Sequence, residues 1–303
     1  MNAEWIRDEW RPMNSSESNR LYALVTAGLL MTRKEYRLAI PYCEQAIQLL
    51  SEQDEPLALA DMLWRAGYCY NRIGLRDYAA VPLRAALKIL RDYPLDQHLP
   101  TVLLDLGNAV RKDDPAEAER CYQEAAEIYV ARKEPESATS AWVNLGVMCS
   151  EQGRFDESLA HYERALKARE QSLTTKPLRI GVLLNNMANC YRRMGDFAEA
   201  HTLADRAATL LAGEGSSALG AVFGTRGLIY LEAGRHAEAV QWLQESYAER
   251  KKMPSPDFEA IAENLEKEIA ALKRLGRSEE ATLAEERLAM ARAAMKEIPQ
   301  PPI

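Results

Sequence analysis

The feature that most restricts what this chain can become is an internal repeat. Gly67, Gly107, Gly146 and Gly227 occupy the same helical context at intervals of 40, 39 and 81 residues. Ala188 divides the long interval into 42 and 39 residues, Ala27 extends the series by 40 upstream, and Ile269 extends it by 42 downstream. One unit is therefore written seven times with a period of 39–42 residues. Self-similarity at such a period belongs to stacked supersecondary units, none of which buries its apolar surface alone.

The unit has a regular grammar. In the fourth copy, Trp142 to Leu166, a large apolar residue precedes Leu145 and Gly146, then Cys149, Gly153, Phe155, Ser158, Tyr162, Ala165 and Leu166 follow. The fifth copy runs from Leu184 to Ala208 and the sixth from Phe223 to Tyr247. The second carries Gly67, Tyr70, Gly74, Ala79, Leu83, Ala86 and Leu87. Leu145, Gly146 and Cys149 share one helix face. A glycine in mid-helix costs about 1 kcal/mol against alanine, so its recurrence predicts close approach of a second helix. Gly153, Gly195 and Gly234 stand where a left-handed residue closes a helix. The second half of each unit spaces its apolar residues by three and four, back towards the first. Each unit thus reads as a helical hairpin.

This pattern resembles the tetratricopeptide repeat over roughly Asn19 to Met295, most clearly in repeats two, four, five and six. The resemblance implies an all-α, right-handed superhelical solenoid of about seven hairpins. The period exceeds the family's usual 34 residues and is similar to the longer-helix variety of kinesin light chains and bacterial multi-repeat proteins, as are the NNMANCY and ERALKARE stretches. The expected repeats lie near 18–54, 55–94, 95–134, 135–174, 175–214, 215–254 and 255–296. The third is one residue short in its turn, and the seventh has Ile269 where a small residue belongs, as a terminal cap would. Residues 1–17, with Trp5, Ile6 and Trp10, are expected to dock on the first repeat, the alternative being a partner-binding arm. Residues 297–303 form a tail.

Composition narrows the function. The net charge is −7, a poor basis for general nucleic-acid binding, which needs a dense basic face. Five cysteines, without a CxxC, suit free thiols in a reducing compartment, and Met1 to Trp10 has no leader pattern. The chain is therefore expected to be cytoplasmic, with neither membrane nor nucleic acid as partner. Phosphate-loop, nucleophile-elbow and zinc-protease motifs do not occur. The four histidines have no Cys or His at metal-ligand spacing. No enzyme, metal or cofactor is expected.

The candidate binding residues lie on the first helices, which the family resemblance places on the concave wall. They are Trp64, Tyr68, Asn71 and Arg72 in repeat two; Asn108, Arg111 and Lys112 in repeat three; Asn144 in repeat four; and Asn185, Asn186, Asn189, Arg192 and Arg193 in repeat five. Asparagine offers a donor and an acceptor to an extended peptide backbone. Arginine pairs bidentately with carboxylates, and Trp64 and Tyr68 supply rigid anchors. An acidic segment or a free C-terminus would be steered to such a wall. The expected function is a non-enzymatic scaffold or adaptor for a peptide or helix of a partner protein. The alternative is a peptide-sensing regulatory module, or the repeat portion of a larger effector, that switches conformation on binding. Self-association through the terminal repeats is a further expectation.

Overall fold

The computed structural model describes residues 16–50, 55–172, 176–213, 217–254 and 256–297. Trp5, Ile6 and Trp10 and residues 298–303 lie outside them, so the expected docking of the N-terminal segment is not on view. Among the described residues the chain is all-α, with fourteen helices and no strand. They are α1 (Ser16–Thr32), α2 (Tyr36–Leu49), α3 (Pro56–Arg72), α4 (Arg76–Leu90), α5 (Leu99–Val110), α6 (Pro115–Ala131) and α7 (Pro135–Glu151). There follow α8 (Phe155–Gln171), α9 (Pro177–Met194), α10 (Phe197–Leu211), α11 (Ser217–Glu232), α12 (His236–Lys251), α13 (Phe258–Arg274) and α14 (Ser278–Glu297). Odd-numbered helices are the first helices of the repeats and even-numbered ones the second. Four of them open on proline, whose missing N–H is harmless in a first turn.

The chain divides into two compact units, Met1–Met148 and Cys149–Ile303. Within the first, α1 packs on α2, α3 on α4 and α5 on α6, and each hairpin stacks on the next through α2 on α3 and α4 on α5. Within the second, the hairpins α9–α10, α11–α12 and α13–α14 stack through α10 on α11 and α12 on α13, with α8 on α9. First helices also meet first helices, α3 with α5 in one unit and α9 with α11 and α11 with α13 in the other. Each unit is thus a helical-hairpin solenoid with its first helices side by side along one wall.

The hairpin turns follow from the residues that the repeat places there. Gly74, Gly153, Gly195, Gly234 and Gly276 all take a left-handed φ of +71° to +85°, and Lys34 takes the same region in the first repeat at 62°. In repeat five, Gly195 N donates to Arg192 O at 3.0 Å and Asp196 N to Tyr191 O at 2.9 Å. This paired closure satisfies the last carbonyls of the helix. The short third turn has no left-handed residue. There Asp114 caps α6 instead, its Oδ1 accepting from Glu117 N at 2.8 Å.

The mid-helix glycines have the predicted cause. A Cβ on Gly67 would lie 2.4 Å from Leu83 Cγ, one on Gly107 2.5 Å from Tyr122 Cε1, and one on Gly227 2.7 Å from Leu243 Cγ. The first helix is stripped to its backbone so that a large residue of the second can lie against it. Where the first helix carries alanine, the second carries a small residue at the same place: Ala27 with Cys43, and Ala188 with Ala204, all fully buried.

Candidate functional site

In the first unit the wall is built on α3 and α5. Trp64 Nε1 donates to Asp105 Oδ2 at 2.7 Å, and its ring lies 5.1 Å from that of His98 and 6.2 Å from that of Tyr68. Tyr68 meets Tyr36 edge-on at 5.8 Å, with the exposed Arg72 guanidinium 5.4 Å over the Tyr36 ring. Asn71 Nδ2 donates to the Asp105 carbonyl oxygen at 2.8 Å. Two bonds from α3 therefore converge on one residue of α5. Burial pushes the Asp105 carboxyl up to about 6, against the Trp64 hydrogen bond and the Arg72 charge, which both lower it. Asn108 Oδ1 accepts from the Tyr122 hydroxyl at 2.9 Å and from Asn144 Nδ2 at 3.1 Å. Arg111 is half-buried, while Lys112 is exposed in the short third turn.

In the second unit the wall is built on α9 and α11. Asn189 Nδ2 donates to Thr225 Oγ1 at 3.0 Å and to the Asn185 carbonyl at 3.2 Å. Arg192 Nε donates to Asn189 Oδ1 at 3.3 Å, and its guanidinium pairs with Glu232. Arg193 turns the other way, donating to Ser150 O at 2.6 Å and lying 4.7 Å over the Phe155 ring. Asn185 is buried and Asn186 half-buried.

The structure brings most of the candidate residues together, but in pairs that the sequence reading did not foresee. Trp64, Asn71, Asn144, Asn189 and Arg192 each reach a polar group 34–41 residues away, on the neighbouring repeat: the next one for four of them and the preceding one for Asn144. Arg193 reaches 43 residues back. The same polar side chains that line the walls thus tie adjacent repeats to each other. Arg192 finds its carboxylate on Glu232 of the next repeat rather than in its own hairpin turn, where Asp196 instead caps Glu199 N. Sequence reasoning missed Asp105, Thr225, Glu232 and Ser150 as partners. Their one signal is a hydrogen-bonding side chain about one period from each donor. Asn71 and Asn185 each keep a buried Oδ1 that no described donor reaches.

The other sequence features are structural. All five cysteines are buried free thiols, and burial pushes Cys121 up to about 11, away from nucleophilic use. Among the described residues, no group of three His, Cys, Asp or Glu side chains is placed to hold a metal ion, and no helix is long and apolar enough to cross a membrane.

The tetratricopeptide repeat family model matches residues 136–212 and 179–252. The chain is a tetratricopeptide-like helical-repeat protein. No curated protein matches it by sequence. Solved structures do resemble it in fold. The apo form of RapI shares 15% identity at a TM-score of 0.72, covering 97% of this chain and 79% of that one. The apo form of the quorum sensor NprR from B. thuringiensis shares 12% at 0.67, covering 95% and 92%. NprR in complex with its cognate peptide NprX shares 13% at 0.60, covering 98% and 88%. BtubC (BKLC) from P. vanneervenii shares 21% at 0.60, covering 76% and 93%. At these identities the likeness is one of fold.

Proposed function

We propose that this chain is a peptide-binding regulatory module without catalysis of its own, in which a peptide lies against the first helices and alters the spacing of neighbouring repeats. One observation carries the reading. The wall amides already bridge adjacent repeats through Asn71 to Asp105, Asn144 to Asn108, and Asn189 to Thr225. A peptide backbone that competes for these amides exchanges an inter-repeat bond for a ligand bond. Binding and repeat spacing are then coupled by the same atoms, as any ligand-driven shift requires. Each exchange involves about 1 kcal/mol, so the equilibrium stays adjustable. The fold likeness to NprR, solved both without and with its cognate peptide, supports the same reading.

The finer features belong to the proposal too. Arg72 and Lys112 in the first unit, and Arg193 in the second, are exposed cations on the two walls. They suit an acidic peptide or a free C-terminal carboxylate. With their 39–42-residue period the repeats are proposed to be of the kinesin-light-chain-like variety, and the protein is proposed to work in the cytoplasm. A second reading, a static adaptor, is favoured by the Arg192–Glu232 pair, which locks α9 to α11 without a ligand.

Peptide-library display on the full chain tests the binding site. Selection on the wild type is followed by rebinding to Asn108→Glu/Lys112→Glu in the first unit and Asn186→Glu/Arg193→Glu in the second. Enriched acidic sequences that lose at least about tenfold in affinity, roughly 1.4 kcal/mol, on one of these variants are the expected result. Enriched peptides that bind both variants as tightly as the wild type would place binding elsewhere and overturn the assignment.

A further inference from the structure

The outer, second-helix side of the first unit breaks the repeat grammar at one place. Just before the first buried small residue of each second helix, repeats three to seven carry Glu117, Glu157, Glu199, Glu238 and Glu280. These carboxylates have clear local duties. Glu157, Glu238 and Glu280 pair with the arginine three residues earlier, while Glu117 and Glu199 sit in side-chain-capped first turns. A carboxylate there also complements the helix dipole. Repeat two has Tyr78 at this position and repeat one has Leu38, and they are 57% and 56% exposed. One turn on, Val81 is 70% exposed. Stacking does not require these apolar residues, because five other repeats stack with glutamate in their place.

The departure surrounds a hollow of about 460 Å³ between α2 and α4, closed at its base by α3. Tyr70 and Tyr78 stack across it with ring centroids 5.9 Å apart, and Ile47 and Val81 complete its apolar lining. Its lining charges are Glu44 and Asp77, with no cation among them. The Tyr70 hydroxyl donates to Glu44 Oε1 at 2.6 Å, which fixes the ring and leaves the second carboxylate oxygen for another donor. Pro82, also in the lining, has no N–H to give the Tyr78 carbonyl one helical turn earlier. The site is rich in acceptors, holds a stacked aromatic pair, and has no cation in its lining.

We propose that this hollow docks a basic segment of a partner protein. One apolar or aromatic side chain of that segment seats against Tyr70, Tyr78 and Val81, and its lysines or arginines meet Glu44 and Asp77. Aromatic residues in a concave site are the usual anchors of an interface, and the acidic rim selects a cationic partner and speeds its encounter. This surface lies between two second helices over Ala66 and Tyr70 of α3, and it uses none of the wall residues Trp64, Tyr68, Asn71 and Arg72.

The test uses the full chain with labelled Ile, Ala and Val methyl groups, followed by NMR. The probe is an acetylated, amidated Lys-Lys-Trp-Lys-Lys peptide, with Glu-Glu-Trp-Glu-Glu as its counterpart. Saturable shifts at the Ile47, Ala66 and Val81 methyls are expected with the basic peptide and none with the acidic one. Tyr78→Gln has nearly the shape of the glutamate that the other repeats carry, adds no charge to the acidic rim, and so keeps the fold. It is expected to weaken binding at least about tenfold with thermal unfolding unchanged. Glu44→Gln with Asp77→Asn is expected to weaken the basic peptide and flatten its salt dependence. Shifts scattered over the acidic surface and indifferent to Tyr78→Gln would overturn the proposal. So would movement of the same three methyls on deleting residues 1–15, which would make the chain's own N-terminal segment the occupant.

Discussion

Single residues in this chain are chosen in pairs across each hairpin. Gly67 faces Leu83, Gly107 faces Tyr122 and Gly227 faces Leu243, while Ala188 and Ala204 are both small and buried. A large second-helix residue goes with glycine on the first helix and a small one with alanine, the complementarity that close packing favours. Gly67→Ala alone is expected to cost about 1–3 kcal/mol by overpacking, and Leu83→Ala about 2–5 kcal/mol by leaving a cavity. The double variant reproduces the Ala188–Ala204 arrangement. It is expected to cost at least about 1 kcal/mol less than the sum, read from urea unfolding of the three variants. Simple additivity would contradict the pairing. Asp105 gives a second expectation. Its folded pKa of about 6 lies above its ordinary 3.8, so the folded protein binds the extra proton between those values. Stability from this group is therefore present at pH 4 and falls as the pH rises through 6, by on the order of 3 kcal/mol. Asp105→Asn stays neutral and is expected to gain on the wild type between pH 4 and 7, measured by denaturant unfolding. A pH-independent difference would contradict the burial account.

At the level of helices, much was legible in the sequence. The 39–42-residue period, the mid-helix glycines and the turn glycines located the hairpins because each is a local demand, met within one unit. The short third turn was also visible, and the structure supplies its remedy in the Asp114 cap. What was not legible is what the wall side chains touch. Asn71, Asn144 and Asn189 read as free polar groups because their acceptors lie 34–36 residues away on the neighbouring repeat, and no local pattern fixes the stagger between hairpins. The exposed Tyr78 escaped for the opposite reason: helical periodicity marks an apolar residue as plausible core, and only alignment against Glu117, Glu157, Glu199, Glu238 and Glu280 shows it to be out of place. The cap yields a local expectation. Asp114→Ala is expected to lower protection against hydrogen exchange in α6 by about 0.5–2 kcal/mol. Asp196→Ala is expected to do less, because the turn before α10 is also closed by left-handed Gly195. Equal losses at the two sites would contradict this.

For the whole molecule, the repeat architecture makes regulation a matter of neighbouring contacts. In a solenoid each hairpin meets only those beside it, so stability and conformation are sums of nearest-neighbour interfaces. A ligand that changes several such interfaces slightly changes the dimensions of the array by the accumulated amount. On the proposed function the amide bridges along the first helices are the interfaces that a bound peptide would reach, and on the further proposal the hollow at Tyr78 would hold a second partner independently. The most direct measurement is small-angle scattering of the full chain, alone and saturated with a display-selected peptide. A change in radius of gyration beyond that given by the peptide's own mass, abolished together with binding in the wall variant, is the expected result. An unchanged radius at full saturation would contradict the coupling of binding to repeat spacing and leave a static adaptor.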